Sequence, residues 1–147
     1  MISMLRATNW VALSLAMTLA QPALAEDLVV RIDSLKSQKG QVIACIWLAA
    51  DKFPNCESGK PVARQSVAAN ARSVTIIFKD IPSGPIAVSG AHDENANGRV
   101  DTNFIGLPLE GVALSNNPKM AFGPPRFKAS IMTPRAGKPV VLRMIYP

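Results

Sequence analysis

The chain has 147 residues, with 16 Lys and Arg against 10 Asp and Glu and a formal net charge of +6. Its basic residues, from Arg31 through Lys79 to Arg143, are scattered, and aromatics make up only 5%. That combination argues against a nucleic-acid stripe or a base-stacking platform and leaves the charge as solubilising.

The first 25 residues read as a signal peptide and not as part of the fold. Arg6 supplies positive charge, Trp10 to Ala20 is a short apolar run, and Ala23-Leu24-Ala25 is a small-x-small cleavage site. The run is too short to span a bilayer comfortably, so a membrane anchor is disfavoured. Residues 26–147 are then expected as one exported domain, periplasmic or secreted, of a size that closes one core without staples. Cys45 and Cys56 are the only cysteines. In an exported chain they are expected to pair as a disulfide around Trp47 to Asn55, with buried thiols as the alternative.

Along the expected domain, short strands alternate with turn chemistry. Leu28 to Leu35 alternates apolar and polar residues, and a Lys39-Gly40 turn leads into Gln41 to Ala49. Val62 to Ala69 and Ser73 to Phe78 follow, then a Pro82-Ser83-Gly84-Pro85 turn and Ile86 to Ala91. Arg126 to Met132 alternates again, and Pro139 to Tyr146 closes the chain. No sustained helical periodicity occurs outside the signal segment. The expected fold is all-β, a seven-stranded antiparallel β-sandwich of transthyretin-like or immunoglobulin-like type, with a closed barrel as runner-up. A long loop is expected over 92–125, ended by the Phe122-Gly123-Pro124-Pro125 corner.

Inside that loop, Asp93, Asn95 and Asn97 occupy alternate positions, Gly98 follows, and Asp101 comes three residues later. Calcium needs six to eight oxygens from a tightly curled backbone, and Gly at the sixth position permits the turn. The expected structural Ca²⁺ ligands are Asp93, Asn95 and Asn97 by side chain, Arg99 by its carbonyl oxygen, and Asp101, with Glu110 or Asn103 completing the shell. The twelfth position is Phe104 where a helix-loop-helix site has Glu, so the loop is not an EF-hand, and an affinity on the order of 10⁻⁴ M is expected. The competing reading is an ion-free loop held by Asn and Asp side chains on its own backbone.

His92 is the only histidine. It is expected to pack at a strand end or to orient Asp93, and one His among scattered carboxylates makes a poor zinc site. Phe104 and Phe122 either line a shallow groove or plug the end of the sandwich.

The runs HDENANGRVDTNFIGLPLEG, SNNPK and FGPPRF resemble the bacterial domain-of-unknown-function family numbered 2141. The resemblance covers essentially all of 26–147. It implies a small exported protein with a sandwich similar to transthyretin-like or carboxypeptidase-regulatory-like modules, and it implies no activity. It marks His92, Asp93, Asn95, Asn97, Gly98, Asp101, Asn103 and Glu110 as positions of interest. The two cysteines do not belong to that pattern.

The expected function is therefore a non-enzymatic envelope module whose calcium-ordered loop binds a protein or glycan partner. The alternative is a hydrolase of envelope polymers using Asp101 or Glu110 with His92 as acid and base. Pairing of subunits by an exposed edge strand is a third reading, and the oligomeric state is left open.

Overall fold

The computed structural model describes residues 25–120 and 126–147. The expected signal segment, except Ala25, and the Phe122–Pro125 corner lie outside the described residues. Seven strands form two sheets. They are β1 (Glu26–Asp33), β2 (Gln41–Trp47), β3 (Ala63–Ala68), β4 (Ser73–Ile81), β5 (Ala87–Asp93), β6 (Gly111–Leu114) and β7 (Val140–Arg143). The smaller sheet runs β4-β1-β7 and the larger β3-β2-β5-β6.

Period-two alternation decides which side chains enter the core. In β4, Val74, Ile76 and Phe78 are buried while Thr75, Ile77 and Lys79 face out. Val30 and Ile32 of β1 and Leu142 of β7 join them, facing Val42, Ala44 and Ile46 of β2 and Val88 of β5. Each such aliphatic or aromatic side chain contributes about 1.5–3 kcal/mol when fully removed from water. Strand β2 is covered on both faces, which is why QVIACIW reads as a near-continuous apolar run. Its outward Ile43, Cys45 and Trp47 make a second cluster with Ala87, Phe53, Cys56 and Phe127. The expected disulfide joins Cys45 to Cys56 across this cluster. It clamps the Asp51–Gly59 loop against the larger sheet.

Three details depart from the expectation. The sandwich is antiparallel except where β7 lies parallel to β1, Val30 opposite Val140 and Asp33 opposite Arg143. The Arg126–Met132 segment is not a strand. It holds a four-residue helix, α1 (Phe127–Ser130), and only Met132 bridges to Ile86. The alternation there served to seat Phe127 on the disulfide cluster. The interval 92–125 is not wholly loop, because β5 runs through Asp93 and β6 pairs with β5.

Two free sheet edges are covered by side chains. Gln65 of β3 donates from Nε2 to the Ile77 carbonyl of β4 at 3.0 Å. Asn117 accepts the Arg143 N–H at 2.7 Å and donates to the Val141 carbonyl at 3.3 Å, standing where a neighbouring strand would pair with β7. No helix among the described residues is long and apolar enough to cross a membrane.

Candidate functional site

The end of β5 delivers two fully buried polar residues, His92 and Asp93. Antiparallel pairing sets Gln41 opposite Asp93, and Gln41 Nε2 donates to Asp93 Oδ2 at 2.8 Å. The chain then curls around the same carboxylate. Oδ1 accepts the Asn97 N–H at 3.0 Å and Oδ2 the Gly98 N–H at 2.7 Å. The curl needs positive φ at Ala96 (56°) and Gly98 (85°), which glycine adopts without strain. Gly40 meets the same bend from outside, where an added Cβ would overlap the Asp93 carbonyl.

The next layer lies on the solvent side of this curl. Asn95 Oδ1 accepts the Asn97 N–H at 3.1 Å, and Asn97 Oδ1 accepts the Arg99 N–H at 3.1 Å. Both amide groups turn their nitrogens to Asp101, Asn95 at 2.7 Å and Asn97 at 2.9 Å. The Arg99 guanidinium sits 3.5 Å from the same carboxylate. Hydrogen bonds from Asn97, then Asn95, together with the Arg99 charge hold the Asp101 carboxyl below its ordinary value of 3.8.

Glu110 closes the loop from the other end. Buried just before β6, it accepts the Glu94 N–H on Oε1 and the Asp101 N–H on Oε2, each at 3.0 Å. One side chain thus ties both limbs of the loop to the larger sheet.

The structure therefore brings Asn95, Asn97 and Asp101 face to face and sets Asp93 beneath them. Glu110 is turned to the backbone, and Arg99 meets the cluster through its N–H and guanidinium. Asn103 stands apart, with its Oδ1 accepting the Ile105 and Leu107 N–H groups at 3.1 and 2.9 Å to shape the loop tip. Among the described residues, no group of three or more His, Cys, Asp or Glu side chains is placed to hold a metal. Around Asp101 the two amides present their nitrogens, while their oxygens accept the Asn97 and Arg99 N–H groups. Asp93 and Glu110 accept backbone N–H groups, whereas Asp101 is met by the two side-chain amides.

His92 has a different role. Its Nε2 lies 2.8 Å from the Lys39 carbonyl, which only accepts, so that nitrogen carries the proton. Nδ1 then accepts from the Tyr146 hydroxyl at 2.7 Å, and that hydroxyl accepts the Lys36 N–H at 3.0 Å. Burial, with Glu94 adding to it, pushes the Tyr146 hydroxyl above its ordinary value of 10.0.

A cleft does lie beside this loop, but Phe104 neither lines it nor plugs the end of the sandwich, and Phe122 lies outside the described residues. A hollow of about 740 Å³ lies over the outer face of the larger sheet. Its lining includes Ile43, Ala91, Val112 and Leu114, the disulfide loop at Phe53–Cys56, and the segment Ile105–Pro108 of the 94–110 loop. Volume and apolar lining fall in the range of small binding sites. Arg64 of β3 ties the loop across the sheet by donating to the Gly98 carbonyl at 2.8 Å. Beyond the cleft wall the loop tip is bare: Phe104 is 99% exposed and Ile105 64%, with Leu107 and Leu109 beside them. The run FIGLPL was the available signal, since four apolar residues among turn-formers have no strand to bury them.

Residues 30–140 match the profile of DUF2141, described as an uncharacterized protein conserved in bacteria. Comparison with curated proteins and with solved structures returned no match.

Proposed function

The chain belongs to the DUF2141 family, and from that premise we propose that it is an exported, non-enzymatic binding module whose Asp93–Glu110 loop takes up calcium as a structural ion. The partner surface is the loop tip with its adjoining cleft. One observation carries this reading: Asn95, Asn97 and Asp101 converge on one another above a curl that the buried Asp93 carboxylate organises. An oxygen-seeking cation at that convergence compensates the Asp101 charge and gains the Asn95 and Asn97 oxygens by turning both amides off the Asn97 and Arg99 N–H groups. The curl itself already stands on hydrogen bonds, so the ion stiffens the loop and does not create it.

The hydrolase alternative draws no support from His92, which is sealed from solvent and holds partners on both ring nitrogens. Glu110 is likewise occupied on both oxygens.

The test is thermal melting across a calcium titration. With a Kd on the order of 10⁻⁴ M, 10 mM calcium adds about 2.7 kcal/mol of stability. Tm is expected to rise with calcium, to fall back with chelator, and to be insensitive to calcium in Asp101→Ala. A wild-type Tm that does not move in millimolar calcium overturns the ion.

A further inference from the structure

We propose that Asn97–Gly98 is a self-modification site, where the Asn97 amide is lost through a cyclic imide at a rate set by the Asp93 carboxylate. The inference rests on the hydrogen bonds of the 93–101 curl, and not on the ion or on any partner.

An asparagine side-chain carbon is most easily reached by the next backbone nitrogen when the next residue is glycine, because no Cβ obstructs the approach. Asn97–Gly98 is the only Asn-Gly pair in the chain. The Asn97 side chain is exposed, and a Cβ added at Gly98 would meet nothing within 4 Å, so the pair is open to water. The Gly98 nitrogen gives its proton to solvent and bonds to Asn97 Cγ. The Cγ–Nδ2 bond breaks, and ammonia leaves. Water then opens the imide at either ring carbonyl and leaves aspartate or isoaspartate at position 97. Water is consumed and ammonia released, with no oxidant or reductant.

The folded curl restrains each atom that must move. The Gly98 N–H donates to Asp93 Oδ2 at 2.7 Å, so the attacking nitrogen is held. Asn97 Oδ1 accepts the Arg99 N–H at 3.1 Å, and Nδ2, the leaving nitrogen, donates to the Asp101 carboxylate at 2.9 Å. Asp93 is fully buried, which makes its hold firmer than that of the half-exposed Asp101. Modification is therefore an event of the opened curl. It also prevents reclosure. A carboxylate at position 97 replaces the donor to Asp101 with a like charge. Isoaspartate adds a carbon to the backbone between the Asn97 and Gly98 N–H groups that Asp93 gathers. The loop thus keeps a permanent record of its own openings.

Peptide mapping by mass spectrometry, with enzymatic methylation of isoaspartate, follows the reaction in chelator-treated protein kept in warm, mildly alkaline buffer. A gain of about 1 Da is expected first at Asn97 in the urea-unfolded chain, and roughly a hundredfold more slowly in the folded wild type. Asp93→Asn is expected to approach the unfolded rate. Asp101→Ala, which alters only an exposed contact and keeps the fold, is expected to react roughly threefold faster than wild type. The proposal is overturned if another asparagine reacts first in urea, or if the folded wild type reacts as fast as the unfolded chain. It is overturned equally if both variants keep the wild-type rate. Calcium is absent throughout, so this reading and that of the ion can fail separately.

Discussion

The His92 imidazole and the Tyr146 hydroxyl, 54 residues apart in the chain, meet at 2.7 Å where the end of β5 passes the carboxyl-terminal segment. The contact joins the entry to the candidate ion loop with the last residues of the fold. It also sets the ring's tautomer, because the Lys39 carbonyl claims the other nitrogen.

Tyr146→Phe removes the donor to a fully buried ring nitrogen and the acceptor for the Lys36 N–H. Loss of a buried partner costs about 1–3 kcal/mol, and equilibrium urea unfolding is expected to show that loss with little change in m.

The chain has a single tyrosine, so alkaline difference absorbance reports Tyr146 alone. Burial favours the neutral hydroxyl, so its midpoint is expected above 10.0. A folded value that is raised contributes stability that is complete below the unfolded value and is lost as pH climbs through the folded one. Denaturation by strong alkali is therefore expected to track this absorbance change, and a midpoint at or below 10.0 contradicts the burial argument.

At the acid end the sign reverses. Asp101 is held below 3.8 by the Asn97 and Asn95 amides, and Asp33 is lowered chiefly by the Ser73 hydroxyl. Depressed carboxyls contribute stability that is complete above the unfolded value and is lost as pH falls through the folded one. Tm is expected to decline below pH 3.8, and Asp101→Asn is expected to flatten that limb in calcium-free buffer.

Asp93→Asn tests the curl apart from any ion. The substitution sets an amide N–H₂ against N–H groups that now donate to a carboxylate. A cost of roughly 3 kcal/mol is expected in chelator-treated protein, with hydrogen-exchange protection lost at the Asn97 and Gly98 amides. Unchanged protection there means the loop is held by other contacts.

Reduction of the Cys45–Cys56 disulfide, whose cysteines are 11 residues apart, is expected to lower stability by about 3 kcal/mol. Trp47, stacked edge-on against Phe53 with centroids 5.5 Å apart, then becomes the reporter. Its fluorescence is expected to shift to longer wavelength on reduction as the Asp51–Gly59 loop detaches.

Alternation was enough to read β1, β4 and the inward face of β5, because one side of each meets the core and the other meets water. It failed at Arg126–Met132, where Phe127 packs on the disulfide cluster from a single helical turn and no ladder forms. Gly111–Leu114 went unread because four residues among turn-formers show no period. The regular spacing of Asp93, Asn95, Asn97 and Gly98 announced a curled loop. Gln41 beneath Asp93, and Glu110 spanning the Glu94 and Asp101 amides, had no local signature, since sheet register and loop closure create those contacts. The cleft is likewise built from stretches far apart in the chain, from Ile43 to Tyr146.

Strand β7 is the last of the seven strands, yet it sits directly against β1, the first. A growing polypeptide accordingly lacks one flank of β1 until β7 has been made. The β1–β4 ladder can form first, but the smaller sheet closes only once β7 is available, so late closure is built into the connectivity. Removing β7 (Val140–Arg143) leaves that first strand with an open side, which is where misassembly with a neighbouring nascent chain would begin.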